Sequence, residues 1–99
     1  MFYIYIIYSE SADKYYVGHS DDPSRRLFEH NSTDELTYTS KRRPWRIVFK
    51  FPVSEIRSEA IRIERYLKKR KSRSLLETLI SRQIDLNYLE KFFNKILIK

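Results

Sequence analysis

The chain has 99 residues and a formal net charge of +7, with 20 Lys and Arg against 13 Asp and Glu. That length sets a single domain with a modest core, and the basic balance points to a polyanionic partner, nucleic acid foremost. The lack of cysteine excludes a disulfide frame, a thiol nucleophile and a Cys-based zinc site, and the single Gly excludes a Gly-rich phosphate loop.

Phe2 to Tyr8 is a β-branched and aromatic run and reads as a strand. Its period of two puts Tyr3, Tyr5 and Ile7 on one face and Phe2, Ile4, Ile6 and Tyr8 on the other. No basic region precedes this apolar start, so a signal peptide is not expected. No apolar run reaches the roughly 18 residues of a membrane span, and the expectation is a cytoplasmic protein. Ser9 to Asp13 is a polar turn, and Lys14 to His19 a second strand, antiparallel to the first. Tyr16-Val17-Gly18 ends that strand with a phenol beside a residue lacking Cβ, which lets a ligand or another backbone come close. Tyr5 lies across the ladder from this region.

Asp22-Pro23 reads as a helix start, with Asp22 as cap and Pro23 at the first helical position. The helix runs to Glu29 or His30 with Leu27 inward, and Arg26 and His30 share one face. Asn31 to Arg43 is a polar loop with a short helical turn, ending in the cluster Lys41-Arg42-Arg43 and Pro44. Trp45 to Val53 is the third strand, with Ile47, Phe49 and Phe51 on one face and an end or bend at Pro52. A helix starting at Ser54 or Ser58 and reaching Arg70 carries the stripe Ile56, Ala60, Ile63, Leu67, with Glu64 at its edge. Lys68 to Arg73 is a basic run. Leu75, Leu76, Leu79 and Ile80 form another helical pattern. Asp85 caps a last helix bearing Leu86, Leu89, Phe92, Phe93, Ile96 and Leu97, a stripe that must be buried against the domain or against a second copy in a homodimer. The fold class that follows is α/β of the α+β type: a three-stranded antiparallel sheet flanked by helices, with an extra C-terminal helix.

These elements resemble the GIY-YIG endonuclease superfamily, and within it the small single-domain bacterial members. Tyr3-Ile4-Tyr5 matches the first motif and Tyr16-Val17-Gly18 the second. Arg25-Arg26-Leu27 with Glu29-His30-Asn31 matches the first helix, Arg43-Pro44-Trp45 the start of the third strand. Ser58-Glu59-Ala60 with Glu64 and Lys68-Lys69 matches the following helix. Two positions depart from the pattern: Tyr3 stands where the name motif has Gly, and His19 where the repair enzymes of the superfamily carry Lys. The resemblance implies a nuclease-like domain over residues 1–82, with 83–99 as a helical extension of it. It implies metal-dependent phosphodiester cleavage of DNA, branched or damaged DNA included. By position, Tyr5 and Tyr16 are the motif tyrosines, Arg26 the essential arginine, Glu64 the metal ligand, and His30 a residue near the scissile phosphate.

The residue types suit that chemistry independently. Arg26 can give two parallel N–H bonds to phosphate oxygens. A single carboxylate, Glu64, suits one Mg²⁺ or Mn²⁺ that keeps most of its waters, whereas a two-metal site needs several converging carboxylates. A tyrosine base starts from a reference pKa of about 10 and needs a cation to favour phenolate; the residues alone do not choose between Tyr5 and Tyr16. Gly18, His19, Lys41, Arg42, Arg43, Lys68, Lys69, Arg70, Lys71 and Arg73 form the candidate nucleic-acid surface. Each site residue also has a plain alternative: strand aromatics, a solvated helix face, a Glu64–Lys68 pair at i,i+4. The rival reading is therefore a nucleic-acid-binding module of the same fold without catalysis.

Overall fold

The computed structural model describes residues 1–32 and 38–98. Strand β1 (Phe2–Ser9) occupies the centre of a three-stranded antiparallel sheet, with β2 (Lys14–Ser20) on one side and β3 (Trp45–Ser54) on the other. Four helices accompany it: α1 (Pro23–Ser32), α2 (Arg57–Arg70), α3 (Arg73–Ser81) and α4 (Leu86–Ile98). A short 3-10 turn, Ser40–Arg42, precedes β3. This is the expected α+β plan. The part of the expected polar loop between residues 33 and 37 lies outside the described residues. No helix among the described residues is long and apolar enough to cross a membrane.

The sheet is covered on both faces, which is why β1 is apolar without alternation. On one face Ile4, Ile6 and Val17 meet Phe49, Phe51, Ile63, Leu67, Leu79, Leu89 and Phe93. On the other, Tyr5, Ile7 and Trp45 form a smaller cluster edged by Tyr16, Leu27 and Ile47. Ile47 and Phe49 thus lie on opposite faces, which corrects the simple alternation expected of β3. The cause is a bulge: Ile6 pairs with Phe49 but Ile7 with Ile47, so Val48 is the extra residue and the facing inverts across it. The Val48 carbonyl accepts from Gln83 Nε2 at 3.3 Å. A second register shift, between Tyr3↔Pro52 and Phe2↔Ser54, lets β3 bend at Pro52 and continue rather than end there. Pro52 is tolerated because β3 is an edge strand.

The caps follow local chemistry. Asp22 Oδ1 accepts from Arg25 N at the start of α1, Ser72 Oγ from Leu75 N at α3, and Asp85 Oδ1 from Tyr88 N at α4. Helix α2 starts between the two expected positions, after Ile56, with Ser54 Oγ accepting from Ile56 N and donating to Glu59. Most of the stripe on α4 is covered by the chain itself: Leu89 and Phe93 are buried in the main core, with Phe93 stacked on Phe51 at 5.6 Å between centroids. Phe92, Ile96 and Leu97 pack against it half-buried, while Leu86 is exposed. Pairing through the last helix, the homodimer expectation, therefore loses its motive.

Candidate active site

Tyr5 and Gly18 face each other across the β1–β2 ladder. A Cβ placed on Gly18 would overlap the Tyr5 ring and hydroxyl. The space the glycine leaves is thus filled by Tyr5, not open to a ligand, and Gly18 is buried beneath it. This packing turns the Tyr5 hydroxyl toward α1, where the four-residue spacing of Arg26 and His30 has placed both on the inner side.

Tyr5 is 1% exposed, His30 5% and Thr39 4%. The Tyr5 hydroxyl lies 2.9 Å from His30 Nε2, and His30 Nδ1 lies 3.0 Å from Thr39 Oγ1. Both imidazole nitrogens are therefore engaged, and His30 presents no free atom at the surface, unlike a residue reaching a scissile phosphate. Burial, with the Arg26 charge second, pulls the His30 imidazole down to about 4. It is neutral at pH 7, so one ring nitrogen carries the proton and the other accepts, with the Tyr5 and Thr39 hydroxyls as the two partners. Burial pushes the Tyr5 phenol up to about 12, against the lowering effect of the adjacent Arg26 guanidinium. Arg26 itself is held above its usual range, first by its bond to Glu29, 2.5 Å away.

Tyr16 borders the same cluster from β2. Its ring meets His30 edge-on at 5.2 Å and Trp45 at 6.3 Å, and Tyr38 stacks on it at 5.9 Å. Unlike Tyr5 it is only half-buried. Lys68 Nζ lies 3.4 Å from the Tyr16 hydroxyl and 2.9 Å from Glu64 Oε2, one helical turn earlier on α2. Burial is the largest single effect on the Lys68 ammonium and lowers it, but the bond to Glu64, the Glu64 charge and the Tyr16 phenol together raise it, and the net shift is upward. The second Glu64 oxygen, Oε1, accepts from His19 Nδ1 at 2.6 Å, and His19 Nε2 faces Arg57 at 3.4 Å. The Glu64 side chain is 20% exposed. Tyr5, Tyr16, Arg26, His30 and Glu64 thus converge, and the Glu64–Lys68 pair of the plain alternative is present within the same cluster. Among the described residues, no three His, Asp, Glu or Cys side chains come together as a metal cage.

The basic residues divide by what they touch. Arg43 Nε donates to the His30 carbonyl at 2.7 Å, so it braces α1. Arg42 lies 3.9 Å over the Tyr38 ring. Arg73 is bound to Asp13 and Glu77, and Arg70 donates to the Tyr66 hydroxyl. Lys41, Lys69 and Lys71 are exposed. Sequence reasoning missed Thr39, which lies in a polar stretch without periodicity, and gave no role to Asn31 of the first-helix motif, whose side chain pairs with both backbone groups of Trp45 at 2.7 and 3.0 Å and ties α1 to β3.

Residues 1–77 match the family model described as the GIY-YIG catalytic domain. The chain is 37% identical over 73 residues to a UPF0213 protein of Listeria welshimeri, covering 74% of this chain and 80% of that one. It is 33% identical over 90 residues to a UPF0213 protein of Streptococcus pneumoniae, covering 91% and 88% respectively. No solved structure matches it. A match to this catalytic domain points to nuclease activity. With most of its length fitting that domain, and its sheet and helices laid out on the expected plan, the chain belongs to the GIY-YIG family.

Proposed function

We propose that the protein is a divalent-metal-dependent endonuclease that hydrolyses phosphodiester bonds in DNA through a single metal ion. The observation that carries this reading is the convergence of the Tyr16 hydroxyl, Lys68 and Glu64 at 2.9 to 3.4 Å on a strongly basic domain. Tyr16 is the better candidate for the base. Tyr5 is buried and held as a phenol by His30, whereas Tyr16 is half-exposed and can reach a water. In this mechanism Tyr16 takes the proton of the attacking water. Arg26, at the lip of the cluster, donates to the non-bridging phosphate oxygens. Tyr5 and His30 hold Arg26 and the Tyr16 ring in place.

The donor set suits Mg²⁺ or Mn²⁺ held by one carboxylate, with water and substrate phosphate completing the shell. Glu64 would hold the ion, exchanging its contacts with Lys68 and His19 for it. When bound, such an ion neutralises charge that develops on the phosphorus oxygens. The engagement of both Glu64 oxygens within the fold is the observation that favours the rival, a binding module without catalysis.

The test is incubation with plasmid and with branched DNA, in Mg²⁺ or Mn²⁺ against EDTA, for the wild-type chain and Glu64→Ala. Metal-dependent nicking that Glu64→Ala abolishes, with fold and DNA binding retained, is the expected outcome. Unchanged nicking by a folded Glu64→Ala chain refutes the assignment of Glu64. DNA binding without nicking under any of these conditions establishes the rival.

A further inference from the structure

A groove of about 820 Å³ opens beside Tyr16 and Lys68 and runs between β2 and the junction of α2 with α3. Its floor is apolar, made by Val17, Leu67 and Leu76 with the Tyr15 and Tyr16 side chains. Its rim is cationic: Lys14, Lys68, Lys71 and Arg73 line it, and no carboxylate among the described residues does. Lys68 is paired with Glu64, and Arg73 with Asp13 and Glu77. Among the described residues Lys14 and Lys71 form no ion pair, and the Asp13 carboxylate whose charge acts on Lys14 is itself bound by Arg73 and Tyr8.

Lys71 adds a second, independent observation. It caps the C-terminus of α2 in the left-handed region, at φ 50° and ψ 38°. Glycine is the residue that adopts this conformation without a steric penalty, and a lysine there carries strain of about 1 kcal/mol. Among the described residues the exposed side chain makes no hydrogen bond or ion pair that offsets it. Strain retained at a cleft marks a position kept for what its side chain does.

From these features we infer that the groove holds an unpaired DNA strand leading away from the bond to be cut. This inference rests on the nuclease reading for its direction and deepens that reading by naming the substrate form. A duplex keeps its bases stacked inside and would offer this groove only phosphates, leaving the apolar floor unused. An unpaired strand can lay bases on the floor and tyrosine edges while its phosphates meet the rim, the arrangement by which single strands are bound. Tyr16 and Lys68 belong to both groove and site, so the phosphate nearest them is the one presented to Glu64 and Arg26.

The test measures binding of the full chain, in EDTA, to a labelled oligodeoxythymidylate of about 12 nucleotides by anisotropy over a range of salt concentrations. The same length as a duplex and as an abasic strand are the comparisons. The expected result is affinity for the strand about tenfold above both, since stacked bases supply the difference. Lys71→Gly and Lys14→Gln each lower the slope of log affinity against log salt by about 0.7, one single-strand phosphate contact apiece. Lys91→Gln, on α4, leaves it unchanged. Lys71→Gly also unfolds at or above the wild-type temperature, which separates lost binding from lost fold. Equal affinity for strand and duplex, an abasic strand bound as tightly, or unchanged slopes in both rim variants overturns the proposal. A chain that prefers the strand but cuts nothing with Mg²⁺ or Mn²⁺ refutes the nuclease and supports the groove; one that cuts without this preference does the reverse.

Discussion

The close approach of Tyr5 to Gly18 yields a quantitative prediction for Gly18→Ala. The glycine has ordinary strand dihedrals, with no positive φ, so its conformational freedom is not what the fold uses. What it supplies is volume: an added methyl would meet the hydroxyl, Cζ and Cε2 of Tyr5. Tyr5 is a stiff ring, buried on all sides and bonded to His30, and has nowhere to retreat. Overpacking a core of this kind costs about 1–3 kcal/mol, and losing the Tyr5–His30 bond adds about 1 kcal/mol. Replacing a strand glycine by alanine returns about 0.5–1 kcal/mol through the unfolded chain, leaving a net loss of about 2 kcal/mol. In a domain of this size that lowers the midpoint of thermal unfolding by roughly 8–16 °C. Urea unfolding of wild type, Gly18→Ala, Tyr5→Ala and the double variant isolates the contact. With Tyr5 cut back to alanine the new methyl has room, and Gly18→Ala becomes neutral or mildly stabilising. A cost that is the same in both backgrounds refutes the argument, because it would then come from the backbone and not from the ring.

Three further outcomes follow from the packing. The His30 imidazole titrates near 4 in the fold and near 6.5 when unfolded, so the unfolded chain takes up a proton that the native one refuses. Stability is complete above 6.5 and falls by up to about 1.4 kcal/mol per pH unit as pH drops through that window; urea midpoints at about pH 4.5 and pH 7 should diverge less in His30→Gln, and equal divergence refutes this. Phe93→Ala, which empties the contact with Phe49 and Phe51, should cost about 3–5 kcal/mol, and sedimentation of the wild type should show a monomer; a cost below about 1 kcal/mol or a dimer dispersed by this variant would show that α4 is not part of this core. Arg43→Gln should cost about 1.5–3 kcal/mol of stability, read by thermal unfolding, while lowering DNA affinity no more than any single surface lysine; the reverse pattern would return Arg43 to the binding surface.

Much of this molecule is legible in its sequence because local rules act undisturbed. The β-branched run of β1, the Asp22-Pro23 start of α1 and the Ala60, Ile63 and Leu67 stripe of α2 each carry a signal independent of tertiary context, whereas Ile56, expected on that stripe, precedes the helix and is exposed. The pairing of Tyr5 with the Tyr16–Gly18 stretch follows from hairpin geometry. The facing of Ile47 relative to Phe49 and Phe51 does not, because one extra residue at Val48 inverts a period-two pattern and leaves no mark in residue type. Nor does the burial of His30: a helix-face histidine looks the same whether its partners are solvent or Tyr5 and Thr39. The run from Lys68 to Arg73 reads as uniform charge, yet it contains a helix end, a left-handed residue and the Ser72 cap, and its cations serve different partners. Sequence shows where charge is; only the fold shows which charge is already spoken for.

The bulge at Val48 also bears on how such chains can change length. Because of it, β3 sends Trp45 and Ile47 to the small cluster behind the site and Phe49 and Phe51 to the main core. Removing one residue there would restore strict alternation, and one of these pairs would face the wrong side of the sheet. Across relatives of this chain, single-residue insertions and deletions between Trp45 and Phe51 should therefore be selected against, whereas changes by two residues preserve the facing. A strand that serves two layers is in this sense counted modulo two, and its parity is as much a part of the inherited message as the identity of its side chains.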